Sequence, residues 1–487
     1  MHRRAKKMKH GLIDNKVVVI GAGPVGVATA AQLLQKGLTP VLLEKGDTAG
    51  RAMLEWGHVR VFTPWKLMID PAVVALLEGA GWDAPDGDHI PTGKEIVEEY
   101  LIPATQNTDL KDYIEFGAEV IAISKRGMSK SVSRNRDDVP FTIHYTTSDG
   151  EAHVIEAGAV IDASGTWSNP NPIGADGLPV AGENSASDQI TYLIPDTLGA
   201  DRAQYEGKST LVLGGGHSAT NVILDLLQIR EESADTKIFW GLRHNNMDKL
   251  LSSVGLNKEL PGRAALGIAA KKAVDEGALD LLAPMRVQKI EKVDGRLHVS
   301  LVVDGQPREI VVDRIVVNAG FRPDMAMLRE LRLDLDDVVE APRILSPMID
   351  PNLHSCGSVP KHGVKELSHT EKNFFIVGMK SYGRAPTFLM RTGYAQVRSI
   401  TDTLAGVVSE EPAEQVAPAC CGPEDGVGGT AMSCGGKLDP DPVPASCCGD
   451  TSPQTSCGDT SSKSSCGGAS EPKSEFETTS SCCGSRS

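Results

Sequence analysis

From Lys16 to about Gly406 the apolar positions form a continuous series in which short strand-like runs alternate with helical periodicity. The first run, Lys16–Ile20 (K-V-V-V-I), ends in Gly21-Ala22-Gly23-Pro24-Val25-Gly26; Ala28, Ala31 and Leu34 then recur at helical spacing and predict a helix over Val25–Lys36. A second strand, Pro40–Leu43, closes on Glu44. The same grammar returns in mid-chain, with strand Ser209–Leu213, the turn Gly214-Gly215-Gly216-His217-Ser218-Ala219, a helix through Leu227, and strand Lys237–Gly241 leading into Leu242-Arg243-His244. Strands Val160–Ala163 and Arg314–Asn318 each run into a small-residue turn, around Gly165 and over Asn318–Asp324, where the chain would cross between the two units. Phe374–Val377 then ends in Gly378-Met379, and a helical stretch near Leu389–Leu404 follows.

A strand, a glycine turn and a helix in this register let a backbone approach a pyrophosphate at the positive end of the helix. In the first unit Gly21, Gly23, Pro24 and Gly26 form that turn, and Glu44 stands where an acid takes a ribose diol. In the second, Gly214, Gly216, His217, Ser218 and Ala219 form it, and Arg243 stands where the first unit has Glu44. A guanidinium attracts a ribose 2′-phosphate that a carboxylate repels, so the second unit is expected to take NADPH and the first FAD. Gly165, Gly378 and Met379 join the expected cofactor contacts. The expected fold is therefore α/β, with an FAD-binding domain (15–206 and 316–411) interrupted by an NADPH-binding domain (207–315). A basic lead (1–14) precedes it and a cysteine-rich tail (412–487) follows, both expected to be disordered.

Composition narrows the function. A chain of 487 residues, 40% hydrophobic and 23% charged, can bury a large core, and a formal charge of −15 argues against a nucleic-acid surface. No apolar run reaches the roughly 20 residues of a membrane span. Of the ten cysteines only Cys356 lies before residue 420, so the body reads as a reduced, cytoplasmic protein rather than a disulfide scaffold. The lead Met1–Lys16 is basic but lacks the apolar core and cleavage site of a secretory signal.

The tail is Ser, Gly, Pro, Thr, Asp and Cys with almost no large apolar side chains, a composition that cannot repay the entropy of ordering its backbone. Its cysteines recur as Cys-Gly units, including the adjacent pairs Cys420-Cys421, Cys447-Cys448 and Cys482-Cys483. Both thiolates of such a pair can reach one soft ion, so these six are candidate ligands for As(III), Hg(II), Cu(I) or Zn(II). A flexible tether of some seventy residues has a root-mean-square span of roughly 45 Å, enough to return to a pocket in its own subunit or in that of a homodimer partner.

These motifs resemble the two-dinucleotide-binding-domain flavoproteins, among them the class B flavin monooxygenases and a thioredoxin-reductase-like branch, over nearly all of residues 15–406. The Gly214–Ala219 form resembles the NADPH motif of N-hydroxylating monooxygenases, and Trp56–Trp65 looks like the segment that packs beside the isoalloxazine. Together with Gly378–Leu389, that stretch is most similar to flavoproteins encoded beside arsenic-resistance functions. The resemblance implies a flavin face drawn from Arg51, Thr63, Trp65, Lys380, Tyr382 and Arg384, whereas His362, His369 and Cys356 read as structural. Three departures stand out. Residues 44–70 and 130–220 hold no cysteine, which argues against a flavin-to-dithiol relay; the aromatic-Gly-x-x-x-His signature is missing; and the common Gly-Asp pair appears as Gly378-Met379. Two function classes are expected: an NADPH-dependent FAD monooxygenase acting on a small soft nucleophile such as a trivalent arsenical, or a reductase or metal-binding flavoprotein whose tail dithiols accept the electrons.

Overall fold

The computed structural model describes residues 14–245, 261–353, 359–386 and 388–407. The basic lead to residue 13, Cys356, and the tail with its six candidate ligand cysteines lie outside them.

The first strand, β1 (Lys16–Ile20), is buried on both faces, with Val17, Val18 and Val19 fully enclosed, which is why it reads as an unbroken apolar run. Helix α1 (Pro24–Gln35) starts with Pro24 in its first turn, where a missing N–H costs nothing, and β2 (Thr39–Glu44) returns parallel to β1. Helix α2 (Pro71–Gly79), capped by the Asp70 carboxylate on Ala72 N, packs on α1. After β3 (Ile114–Phe116), strands β4 (Glu119–Lys125), β5 (Phe141–Thr146) and β6 (Ala152–Ala157) form an antiparallel sheet, and β7 (Ala159–Asp162) comes back beside β1.

The chain then enters the second lobe with β8 (Ile190–Thr191), β9 (Ser209–Leu213), helix α3 (His217–Glu232), β10 (Lys237–Gly241), helix α4 (Pro261–Asp275) and β11 (Asp280–Leu282). Antiparallel strands β12 (Met285–Val293), β13 (Arg296–Val303) and β14 (Gln306–Val312) precede β15 (Arg314–Val317). Strand β16 (Phe374–Ile376) and helix α5 (Met390–Leu404) complete the first lobe. The two five-stranded parallel sheets have orders β16-β7-β1-β2-β3 and β11-β10-β9-β15-β8. The second sheet recruits β8 from before residue 207, a strand whose two residues leave no periodicity to read in the sequence. Helix α3 also outruns the expected end at Leu227, since Ile229 continues its buried stripe to Glu232.

Buried charge ties the antiparallel sheet to the rest of the first lobe. Arg136 meets Glu371 at 2.7 Å with the two side chains 3% and 1% exposed, and it also donates to the carbonyls of Ser129 and Glu330. Nearby, the Lys125 ammonium lies 3.6 Å from the centre of the Phe141 ring, and burial lowers its pKa to about 8 against the opposing pull of Glu371. Among the described residues no helix is long and apolar enough to cross a membrane.

Candidate functional site

The two glycine turns lie at the carboxyl ends of β1 and β9, the edge at which parallel sheets of this kind take ligands. At the first, Gly21 adopts φ +93°, and a Cβ there would stand 2.9 Å from Ala163 O in the turn after β7. A methyl on Gly26 would overlap the Gly21 carbonyl oxygen, so only glycine lets α1 begin this close to β1. Gly23 differs: its φ is −72° and nothing lies within 4 Å of where a Cβ would be. That open side lies beside a helix start with no side-chain cap, the kind of place where free backbone N–H groups can meet an anion. Glu44 closes the turn, accepting from Ala22 N at 2.6 Å and Gly46 N at 2.7 Å. Each carboxylate oxygen has two lone pairs, so acceptor capacity remains for a ribose diol.

The second turn repeats the plan with other partners. Gly214, at φ +135°, would drive a Cβ into Asn318 O, while Gly216 is open to 4 Å and α3 starts without a side-chain cap. Trp240 on β10 holds this turn by donating its indole N–H to Gly214 O at 2.8 Å. Ser218 is half-buried and Ala219 buried in the first turn of α3; Arg243 is exposed just beyond β10.

The turn after β16 shows a third device. Gly378, at φ +69°, donates its N–H to Gln396 Oε1 at 2.9 Å, and Gln396 Nε2 reaches Ser381 Oγ and His362 Nε2. The His362 Nδ1 contact to Pro360 O at 3.0 Å completes an arrangement that suits a neutral imidazole, and burial lowers its pKa. His369 is likewise neutral, its pKa pushed down to about 4 by burial, with Nδ1 accepting from Asp334 N. Both histidines are therefore structural in their surroundings.

The six residues expected at a flavin face lie in differing surroundings. Trp65 is 1% exposed in the core, edge-on to Tyr100. Arg51 is exposed and pairs with Asp47 at 3.6 Å. Arg384 makes a two-pronged pair with Glu340, at 2.8 and 3.1 Å. Lys380 is buried in an ion pair with Asp162. Tyr382 is buried against His362 and Phe388, which raises its pKa, and Thr63 is half-buried. Gly165, at φ +71°, has open space on its Cβ side, and Met379 is half-buried. Among the described residues no group of three or more His, Cys, Asp or Glu side chains is arranged to hold a metal.

Sequence reasoning placed the crossing between the lobes but missed how the two crossing segments are joined. The two crossing segments run antiparallel and bond to each other, Asn171 N to Gly320 O at 2.9 Å and Arg322 N to Asn169 O at 3.0 Å. Trp167 on one packs against Phe321 of the other, the rings tilted by 30° with centroids 4.8 Å apart, and its indole N–H donates to Glu55 at 2.8 Å. Trp56 of the first lobe packs on Trp167 and against the hydrophobic core of the second lobe. Phe62 meets His217, the first residue of α3, at 5.1 Å. The available signal was the coincidence of large aromatics with both crossing turns in a chain only 4% aromatic.

The sequence profile of the pyridine nucleotide-disulphide oxidoreductases matches residues 18–343. Among solved structures, the chain is similar to the bacillithiol disulfide reductase of Bacillus cereus, with 18% identity over 80% of this chain and 98% of the other, at a TM-score of 0.58. A cadaverine monooxygenase of desferrioxamine biosynthesis from Erwinia amylovora follows, with 13% identity, coverage of 85% and 99%, and a TM-score of 0.55. An ornithine N-hydroxylase from Kutzneria sp. 744 shows 14% identity, coverage of 80% and 97%, and a TM-score of 0.53. No curated protein matches. At these identities the neighbours speak for the fold; the profile match and the paired glycine turns make the chain an oxidoreductase whose cofactors are FAD and NADPH.

The contrast between Gly23 and Gly26 gives a test of the first cradle. Gly23→Ala should fold as stably as wild type yet release FAD readily, because its methyl enters only the open cradle. Gly26→Ala should lose FAD and stability together, by the roughly 1–3 kcal/mol that overpacking costs. Urea unfolding and flavin content measured on both variants check this; equal loss of stability in the two would contradict the reading.

Proposed function

The chain belongs to the pyridine nucleotide-disulphide oxidoreductase family, and on that premise we propose that it is a monooxygenase. FAD sits on Gly21–Glu44, NADPH on Gly214–Arg243, and a small soft nucleophile such as a trivalent arsenical takes one oxygen atom. The observation that carries this reading is the placing of cysteine: none occurs among the described residues, and only Cys356 precedes the tail. Electrons from NADPH thus meet no dithiol in the described body, and dioxygen is the acceptor at hand.

Bound FAD would supply the redox chemistry, two-electron transfer between NADPH and an acceptor. The overall change balances as substrate, O2, NADPH and a proton going to oxygenated substrate, NADP+ and water. The protein's part is to hold the two nucleotides. Glu44 takes the adenine ribose of FAD, the open faces of Gly23 and Gly216 admit the two pyrophosphates, and Arg243 pairs with the NADPH 2′-phosphate. Trp56, Trp167 and Phe321 join the second lobe to the first and would hold the two nucleotide sites in one relative placement. The tail's cysteine pairs capture the metalloid and deliver it, in the cytoplasm, to the pocket of the same subunit or of a homodimer partner.

A second reading has its own support in the tail's nine cysteines and in the disulfide reductase among the structural neighbours: the tail dithiols are then the electron acceptor. Steady-state NADPH oxidation by the yellow protein, with and without As(III), while oxygen uptake and peroxide release are recorded, separates the two. The monooxygenase predicts As(III)-stimulated oxygen uptake matching NADPH consumption without peroxide, retained at high As(III) after truncation behind Glu411. Consumption that continues without oxygen and vanishes on truncation selects the reductase. For the NADPH site, Arg243→Ala should raise the KM for NADPH by about tenfold to a hundredfold, the 1.5–3 kcal/mol or so of a charge-assisted phosphate contact, and leave that for NADH nearly unchanged. An equal rise for both nucleotides removes Arg243 from the 2′-phosphate.

A further inference from the structure

We infer that Lys380 is a positioning residue for FAD: through a buried ion pair with Asp162 and a hydrogen bond to Ser164 it locks two turns of the FAD cradle together. The inference rests on the assignment of FAD to the first lobe. Lys380 Nζ lies 2.7 Å from Asp162 Oδ2 and 3.1 Å from Ser164 Oγ, and the Lys380 and Asp162 side chains are 1% and 0% exposed. Ser164 in turn donates both its hydroxyl, at 2.6 Å, and its backbone N–H, at 3.0 Å, to Asp162 Oδ1. The Asp162–Lys380 pair is buried and Ser164 is exposed, so the bonds run from the core out to the turn after β7.

The place of this network in the fold gives it a function. Asp162 ends β7 and Lys380 follows β16; the two strands are parallel neighbours in register Ile376 to Asp162, and Val377 N donates to Asp162 O at 2.9 Å. The network therefore sits at the carboxyl edge of the sheet, beside the first glycine turn. Gly21 approaches the same segment so closely that a Cβ on it would lie 2.9 Å from Ala163 O and 3.0 Å from Ser164 Cα. On the other side, Gly378 of the Lys380 turn faces Val25 of α1 and is held by Gln396 of α5. Helix α5 thus fixes the Gly378–Tyr382 turn, and Lys380 carries that fixed position across to Ser164 and on to the glycine turn. A buried ion pair is a poor source of net stability, because desolvation offsets its attraction, and apolar groups of the same size serve stability as well. Its directional bonds are what apolar packing lacks.

The experiment compares wild-type holoenzyme with Lys380→Met, Asp162→Asn/Lys380→Met and Ser164→Ala, following FAD release by the rise in flavin fluorescence on dilution and folding by far-UV circular dichroism. Lys380→Met leaves a buried carboxylate without its cation and should lose both fold stability and FAD. The double variant removes the two charges together; it should keep the wild-type circular dichroism and urea midpoint yet release FAD about tenfold faster or more, a loss on the scale of one well-placed contact. Ser164→Ala keeps the ion pair and the backbone N–H bond to Asp162 and removes only the hydroxyl's bonds to Lys380 and Asp162; it should show faster release with an unchanged spectrum of the fold, and it decides the matter if the double variant does not fold. Wild-type release rates in Ser164→Ala, or in a folded double variant, overturn the inference. The parent assignment fails in a different way, with FAD retained by Gly23→Ala as firmly as by wild type.

Discussion

The first lobe is built around one close contact between backbones. Gly26 lies in the first turns of α1 with no room for a methyl against the carbonyl of Gly21, which itself adopts a left-handed conformation against Ala163. That contact brings the start of the helix to the end of β1, turns the free N–H groups of the helix toward the sheet edge, and leaves the face of Gly23 open. Glu44 then closes the turn from β2, and the turns after β7 and β16 wrap it from the other side. The second lobe meets the same demand with a different partner, Gly214 against Asn318, so the two cradles share a principle without sharing a sequence.

Much of this was legible in the chain. Lys16–Ile20, Ser209–Leu213 and Lys237–Gly241 are strands over the residues their apolar runs indicate, because strands buried on both faces are continuous in hydrophobicity and bounded by glycine. The two glycine turns and their flanking helices are equally local. The pairings are not. Lys380 and Asp162, or Arg136 and Glu371, are separated by most of a domain and obey no periodicity, so each residue read alone looks like a surface charge or a catalytic candidate. Trp65 and Arg384 show the same limit: nothing local in the chain tells that Trp65 packs in the core or that Arg384 pairs with Glu340.

The division of labour that follows is between rigid cradles and a junction. Each lobe presents an uncapped helix start and an open glycine face at its sheet edge, and the crossing segments are bonded to each other and in ring contact through Trp167 and Phe321. Charge is used sparingly inside. Where it is buried it joins segments distant in sequence, and the histidines beside it are kept neutral by burial. Fixing the frame in this way leaves to the cofactors, and to whatever the reduced flavin meets, the choice of reaction.

The central claim is that the two glycine turns hold different dinucleotides. Amide hydrogen exchange on the FAD-bound protein, before and after addition of NADP+, tests it most directly. The account predicts new protection confined to Gly214–Ala219 and the segment around Arg243, with the already protected Gly21–Gly26 unchanged. Protection by NADP+ that appears instead at Gly21–Gly26, with none at Gly214–Ala219, would contradict it.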